Sequence, residues 1–297
     1  MTRRILVPLD GSQLSEAALG PARAFAIAWE ASVTLLHIIE QDAPVEKHGE
    51  RHLTRPEEAE AYLSEIASQG LPASVQVETH VHTAPVADVP RSIVDHVTEF
   101  EPDLIVMCTH GRGGVGRLVY GSVAQQVVGQ GSSPLLLVKP EASPPPFELE
   151  RILLPLDPES GHDEGLPVGR DIALAFQAEL FLLSVTHSAA TMPGEQAAAG
   201  TFMPATAQAF LDIREENTRA HLQEHVNSLR AEGLEAAAGV LRGDAAGAIL
   251  SAAGALDVDL IILCTHGRAG LSAFWARSVA PTVAQRAGVP ILLIPLA

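Results

Sequence analysis

Basic residues are scarce in this chain of 297: 19 lysines and arginines stand against 36 aspartates and glutamates, for a net charge of −17. No stretch concentrates the cations, and binding along a nucleic-acid backbone relies on such clusters, so nucleic acid is not an expected partner. A small nucleotide stays open, because backbone N–H groups can hold its phosphates without side-chain cations. Long hydrophobic runs are missing too. None approaches the ~18 residues that would span a bilayer, so no membrane partner is expected. Cysteine is limited to Cys108 and Cys264, which fall at matching places in the two halves. That argues against a disulfide between them; each reads as a small packing residue at the end of a buried strand. The start, Met1-Thr2-Arg3-Arg4-Ile5-Leu6-Val7-Pro8, is too short in apolar residues for a secretory signal and reads as a strand. A cytoplasmic location is the expectation.

What is present is ample apolar material. Hydrophobic residues make up 47% of the chain and mean hydropathy is +0.19, which excludes a disordered chain. At roughly 100–200 residues per domain the length suggests two domains. An internal repeat says the same. Ile5-Leu6-Val7-Pro8-Leu9-Asp10 returns 147 positions later as Ile152-Leu153-Leu154-Pro155-Leu156-Asp157. Asp103 to Arg112 (DLIVMCTHGR) returns 156 positions later as Asp259 to Arg268 (DLIILCTHGR), and Leu135–Val138 returns as Ile291–Ile294 at the same offset. The second copy therefore carries 9 extra residues in its middle, and the Ala- and Gly-rich stretch Thr191–Thr206 is the natural place for them. Residues 1–140 read as the first domain, 141–149 as a proline-rich linker and 150–297 as the second domain.

Within the first copy the expected strands are Ile5–Leu9, Val33–Ile39, Val75–Val81, Leu104–Met107 and Leu135–Val138. Most lack polar alternation, as parallel strands buried on both faces do. Helical spacing runs from Ser12, a candidate N-cap, to Trp29, and again over Pro56–Ala67, Val86–Phe100 and Ser122–Gln130. Alternating strand and helix predicts an α/β chain: two tandem doubly wound domains, each with a five-stranded parallel sheet and right-handed crossovers. In such sheets ligands sit at the carboxyl ends of the strands, at the switch in strand order. Asp10-Gly11 follows strand one there, and Thr109-His110-Gly111-Arg112-Gly113-Gly114 follows strand four. Gly121-Ser122 then opens a helix whose unpaired N–H groups suit an anion. His37, inside an apolar strand, reads as a satisfied core histidine.

This arrangement resembles the universal stress protein family, whose nucleotide-binding members carry G-x2-G-x9-G-(S/T) in the same strand–loop–helix context. The resemblance covers nearly the whole chain, twice. Here the motif reads Cys108-Thr109-His110-Gly111, nine residues, then Gly121-Ser122, with Cys108 in place of the first glycine. The resemblance implies the adenine-nucleotide α-hydrolase-like fold and an ATP site, with or without Mg²⁺. Pro8, Leu9 and Asp10 would lie beside the adenosine; Ile38 would meet the adenine; Met107 and Cys108 would floor the ribose or base. His110, Gly111, Gly121, Ser122 and Val123 would contact ribose and phosphates, with Arg112 or Arg117 supplying a counter-charge. The second copy keeps Asp157, Val185 (matching Ile38), His266, Gly267 and Arg268, but Arg277 replaces Gly121 and Pro158 replaces Gly11. One nucleotide per chain is therefore expected, in the first domain, with Arg277 marking a decayed site, serving a differently shaped anion or a nucleotide with fewer phosphates, or reaching toward the other half.

The family resemblance also implies pairing through the last strands. Leu135–Val138 and Ile291–Ile294 are apolar edge candidates that would be costly to leave exposed, so an internal pseudo-dimer, and beyond it a homodimer, is the expectation. The leading functional expectation is an ATP-binding regulatory protein of the stress response. A slow ATPase or nucleotide-transfer enzyme of related fold is the alternative, and a scaffold without nucleotide the third. Against an enzyme, there is no Walker A motif, no glycine-rich SGG turn, and no evident Ser-His-Asp or carboxylate-plus-Lys set at the site.

Overall fold

A computed structural model describes residues 2–43, 46–47, 50–109, 122–130, 133–140, 146–157, 163–192, 202–266 and 279–296. The chain divides into two compact units. One is Met1–Glu148 with Thr265–Arg277 and Pro290–Ala297; the other is Leu149–Cys264 with Ser278–Val289.

In the first unit β1 is Arg4–Pro8, followed by α1 (Gln13–Glu16), α2 (Leu19–Trp29) and β2 (Ser32–Glu40). A two-residue-per-strand ribbon, β3 (Glu46–Lys47) with β4 (Glu50–Arg51), leads to α3 (Pro56–Gly70). Then come β5 (Val77–Val86), α4 (Val89–Phe100), β6 (Leu104–Cys108), α5 (Ser122–Gln130) and β7 (Leu135–Val138). The strands pair in parallel in the order β5-β2-β1-β6-β7, so the order reverses between β1 and β6. Every residue of β6 and β7 is buried, as continuous apolar runs covered on both faces should be. Phe25, Leu35, Leu36, Leu63, Leu104 and Ile105 are fully buried at the centre of this core.

The last strand of the chain, β12 (Ile291–Leu296), also belongs to the first unit. It pairs antiparallel with β7, setting Ile291, Leu292 and Leu293 opposite Leu137, Leu136 and Leu135. The apolar edge of β7 is thereby covered, which answers the liability of a bare hydrophobic strand.

The second unit repeats the plan: β8 (Arg151–Pro155), α6 (Gly165–Phe176), β9 (Glu179–Thr186), α7 (Pro204–Ala231), β10 (Ala236–Arg242), α8 (Ala245–Leu256), β11 (Leu260–His266) and α9 (Val279–Arg286). Its parallel strands run β10-β9-β8-β11. Local details recur with the repeat. Asp88 caps α4 by accepting from Arg91 N at 3.0 Å, and Asp244 caps α8 by accepting from Gly247 N at 2.7 Å. Helices α2 and α6 both end on a left-handed residue, Glu30 (φ 51°) and Gln177 (φ 56°); α4 and α8 do the same at Glu101 (φ 43°) and Asp257 (φ 51°). Asp103 accepts from the Arg4 amide and Asp259 from the Arg151 amide, each at 2.8 Å, fastening the first strand of each unit to the approach to its fourth.

Three local expectations are corrected. The span Ser12–Trp29 is two helices rather than one, because Pro21 has no N–H to give the carbonyl four residues back and the ladder restarts after Ala17. The third strand extends past Val81 to Val86, held by pairing with β2 through an irregularity between Ile38 and Glu40. Pro85 is tolerated there since β5 is an edge strand of its unit. Finally, the extra length of the second copy lies in α7, 28 residues against 15 in α3, while the connections before them (187–203 and 41–55) are nearly equal.

Candidate functional site

At the carboxyl ends of β1, β2 and β6, where the strand order reverses, the first unit encloses a cavity of about 640 Å³. Its lining brings together seven residues singled out from the sequence: Pro8, Leu9, Asp10, Ile38, Met107, Cys108 and Val123. Ser122 begins α5, whose first turn reaches the cavity through Val123 and Ala124. His110, Gly111, Arg112 and Gly121 lie outside the described residues, as do Pro158, Gly267, Arg268 and Arg277 of the second copy.

The β1 end is built by short-range chemistry. Asp10 Oδ1 accepts from the Ser12 amide at 3.1 Å and from the Ser12 hydroxyl at 2.6 Å, an Asx turn that closes the strand. Ser12 Oγ in turn accepts from the Ser15 amide at 3.3 Å, the predicted N-cap. Gly11 holds φ at +85°, the left-handed region that favours glycine, and a Cβ there would meet Leu53 Cδ1 at 2.6 Å. A proline, with φ fixed near −65°, could not take this conformation, and the sequence of the second copy has Pro158 at the matching position. Asp10 thus both caps the turn and lines the cavity.

His37 is buried, with Nδ1 2.8 Å from the Leu9 carbonyl oxygen and Nε2 3.3 Å from that of Leu53. Its ring ties the end of β1 to the segment after β4, as a core histidine that also touches the cavity wall. The Leu9 amide donates to Leu36 O at 2.8 Å, so the backbone on both sides of the strand end is fixed. Burial, and secondarily the Asp10 carboxylate, push the Cys108 thiol up to about 12. Burial therefore favours the neutral thiol in the cavity wall. Cys264, at the matching place of the second unit, is pushed up to about 11 by burial first and by Glu164 next.

Sequence reasoning missed the opposite wall: Glu40, His52, Asp88, Val89, Pro90 and Ile93 also line the cavity. Asp88 was findable as the aspartate preceding a proline-bearing helix start, a cap signal that also marks the carboxyl end of the third strand. His52 carried no such signal, because only the return of the chain after β4 brings it back to β2, where its Nε2 is 3.7 Å from Glu40 Oε2.

Residues 1–139 and 148–295 each match the universal stress protein family model. A universal stress protein of Mycolicibacterium smegmatis is 23% identical over 312 aligned positions, covering 98% of this chain and 96% of its own. One from Methanocaldococcus jannaschii is 31% identical over 144 residues, covering 46% of this chain and 82% of its own. Among solved structures, a universal stress protein of Archaeoglobus fulgidus superposes with a TM-score of 0.67 at 18% identity, covering 98% of this chain and 96% of that one, a likeness of fold. No helix among the described residues is long and apolar enough to cross a membrane. The chain belongs to the universal stress protein family, with two copies of the family's domain in tandem.

Proposed function

We propose that the first unit binds one adenine nucleotide, ATP with or without Mg²⁺, and that occupancy sets the protein's conformation or affinity for a partner in the stress response. The observation that carries this reading is the cavity itself: about 640 Å³, at the strand-order switch, with the first turn of α5 on its wall. That volume lies in the range of small-molecule sites, and the position is where open α/β sheets bind ligands.

The lining suggests an orientation. Leu9, Ile38, Met107 and Val123 offer apolar faces for a base. Asp10 and Asp88 are acceptors suited to ribose hydroxyls and would repel phosphates. The phosphates are then directed to the amino end of α5 and the glycine-rich segment before it, where N–H groups and the helix dipole favour anions. The Arg277 and Pro158 substitutions support a single such site per chain.

A binding rather than a catalytic role is supported by the same residues. The Cys108 thiol is held protonated by burial, and Asp10 is committed to the Ser12 turn.

The test is direct. The purified chain is denatured, released nucleotide is identified by chromatography, and phosphate release by the native chain is followed over hours. ATP at one per chain with negligible turnover is the expected result. Rapid multiple turnover would replace the sensor with an enzyme, and a chain that neither retains nor binds nucleotide at millimolar concentration would be a scaffold.

A further inference from the structure

Helix α7 carries His221 and His225 four residues apart, a spacing that puts both imidazoles on one face. Asp163, just ahead of α6, meets them. His225 Nε2 is 3.0 Å and His221 Nε2 3.3 Å from Asp163 Oδ2, and the two ring nitrogens are 3.2 Å apart. Three ligand-type atoms from three residues thus converge on one point, all partly buried. The second carboxylate oxygen, Asp163 Oδ1, is buried and has no hydrogen-bond partner among the described residues.

Hydrogen bonding does not satisfy this arrangement. A neutral imidazole has one N–H, and His225 Nε2 stands within bonding distance of both Asp163 Oδ2 and His221 Nε2. One hydrogen serves one of them. If both rings carry hydrogen at Nε2, two donors face each other; if either does not, its lone pair faces another acceptor. A cation at the centre resolves the conflict for all three atoms at once.

The spacing also fits. Ligand atoms bound at the 2.0–2.1 Å typical of tetrahedral zinc lie about 3.3 Å from one another. Three atoms at the observed separations are about 1.8 Å from their common centre, so an ion at zinc–nitrogen bond length stands about 1 Å off their plane, with its fourth position open. The side chains of His221 and His225 are 38% and 22% exposed, which leaves that position to water.

We propose that Asp163, His221 and His225 form a binding site for a first-row divalent transition metal of the zinc class. Two imidazoles and one carboxylate suit such ions, whereas Mg²⁺ and Ca²⁺ favour oxygen ligands throughout. A bound ion fastens the long helix to the start of α6. The nucleotide cavity is not involved, since its lining residues all belong to the first unit.

The untagged full chain, stripped with a chelator and dialysed against micromolar Zn²⁺, should retain one zinc per chain. Its thermal midpoint should rise by several degrees with Zn²⁺ and stay unchanged with Mg²⁺. Asp163→Asn and the double variant His221→Gln/His225→Gln should each bind zinc at least ~10-fold more weakly with unaltered circular dichroism, as loss of a ligand requires. No retained zinc, or equal affinity in these variants, would overturn the site and assign any binding to other histidines. In the unmodified chain, the His221 and His225 imidazole resonances should respond first in a Zn²⁺ titration. A first response elsewhere counts against the proposal even if the variants do not fold.

Discussion

In the first unit, Tyr62 of the crossover helix α3 donates to Glu16 Oε1 at 3.0 Å, bracing that helix against the segment after β1. In the second unit the same two elements meet through His221, His225 and Asp163. A single hydroxyl and a single carboxylate make a complete hydrogen bond; two imidazoles and a carboxylate leave one interaction unfilled. The sequence after the first strand differs in parallel: Gly11 takes a left-handed conformation in one unit, and a proline, Pro158, stands at the matching position of the other. Duplication of the frame therefore did not duplicate every side-chain contact. The sheet and its caps are shared because every copy of the fold needs them, while the strand-end loops and the exposed helix faces were free to diverge.

The largest effect is expected at the glycine-rich segment before α5. Gly121→Arg copies the second unit's residue into the first, and nucleotide affinity should fall at least ~100-fold with the fold intact, as read by calorimetry and circular dichroism; removing a close backbone approach to phosphate warrants a loss of that order. Retained binding would mean that the phosphates lie elsewhere.

Next in size is Gly11→Pro, which imposes the other half of the asymmetry. Proline cannot adopt φ +85°, so urea unfolding should show a loss of about 3 kcal/mol. Nucleotide affinity should fall with it, because Asp10 and Ser12 flank the turn. An unchanged denaturation midpoint would show that the loop relaxes without cost.

A smaller effect is expected where the second unit has specialised its core. A Cβ at Gly165 would meet Cys264 Sγ at 2.6 Å, so Gly165→Ala should cost about 1–3 kcal/mol by overpacking. Adding Cys264→Ala should restore most of it. A double variant no more stable than the single one would place the strain at Leu154 Cδ1, 3.2 Å from the same Cβ.

The smallest effect concerns acid. His80 on β5 has Nε2 3.2 Å from His96 Nε2 of α4; burial first, and the His96 charge next, hold the His80 pKa below its ordinary value. Because the folded pKa is the lower one, the unfolded chain takes up the proton more readily. His80's contribution to stability is fully present above about pH 6.5 and is lost as pH falls below it. Register matches His80 to Gly239, so the second unit has no counterpart at that place. Thermal midpoints measured between pH 7.5 and 5.5 should decline for the wild type and decline less for His80→Gln. Equal slopes would remove the pair as a source of acid sensitivity.

Much of this was legible without coordinates because it is local. The repeat, the buried apolar runs, the Ser12 cap and the Asp10-Gly11 turn each depend on a few adjacent residues, and the structure carries them at the strand ends as expected. The α/β class followed from the alternation of strand and helix, and the location of the cavity from the general rule for such sheets. Other features depend on residues far apart in the chain, and only tertiary structure decided them. Pairing with β2 carried β5 on to Val86 through residues with no apolar pattern. The covering of β7 by β12 joins strands over 150 residues apart, a contact that apolar character made desirable but did not specify. The meeting of Asp163 with His221 and His225 spans about sixty residues and depends on the length of α7 and the face it turns inward. Sequence periodicity reports which residues must leave water; it does not report which of them meet when they do.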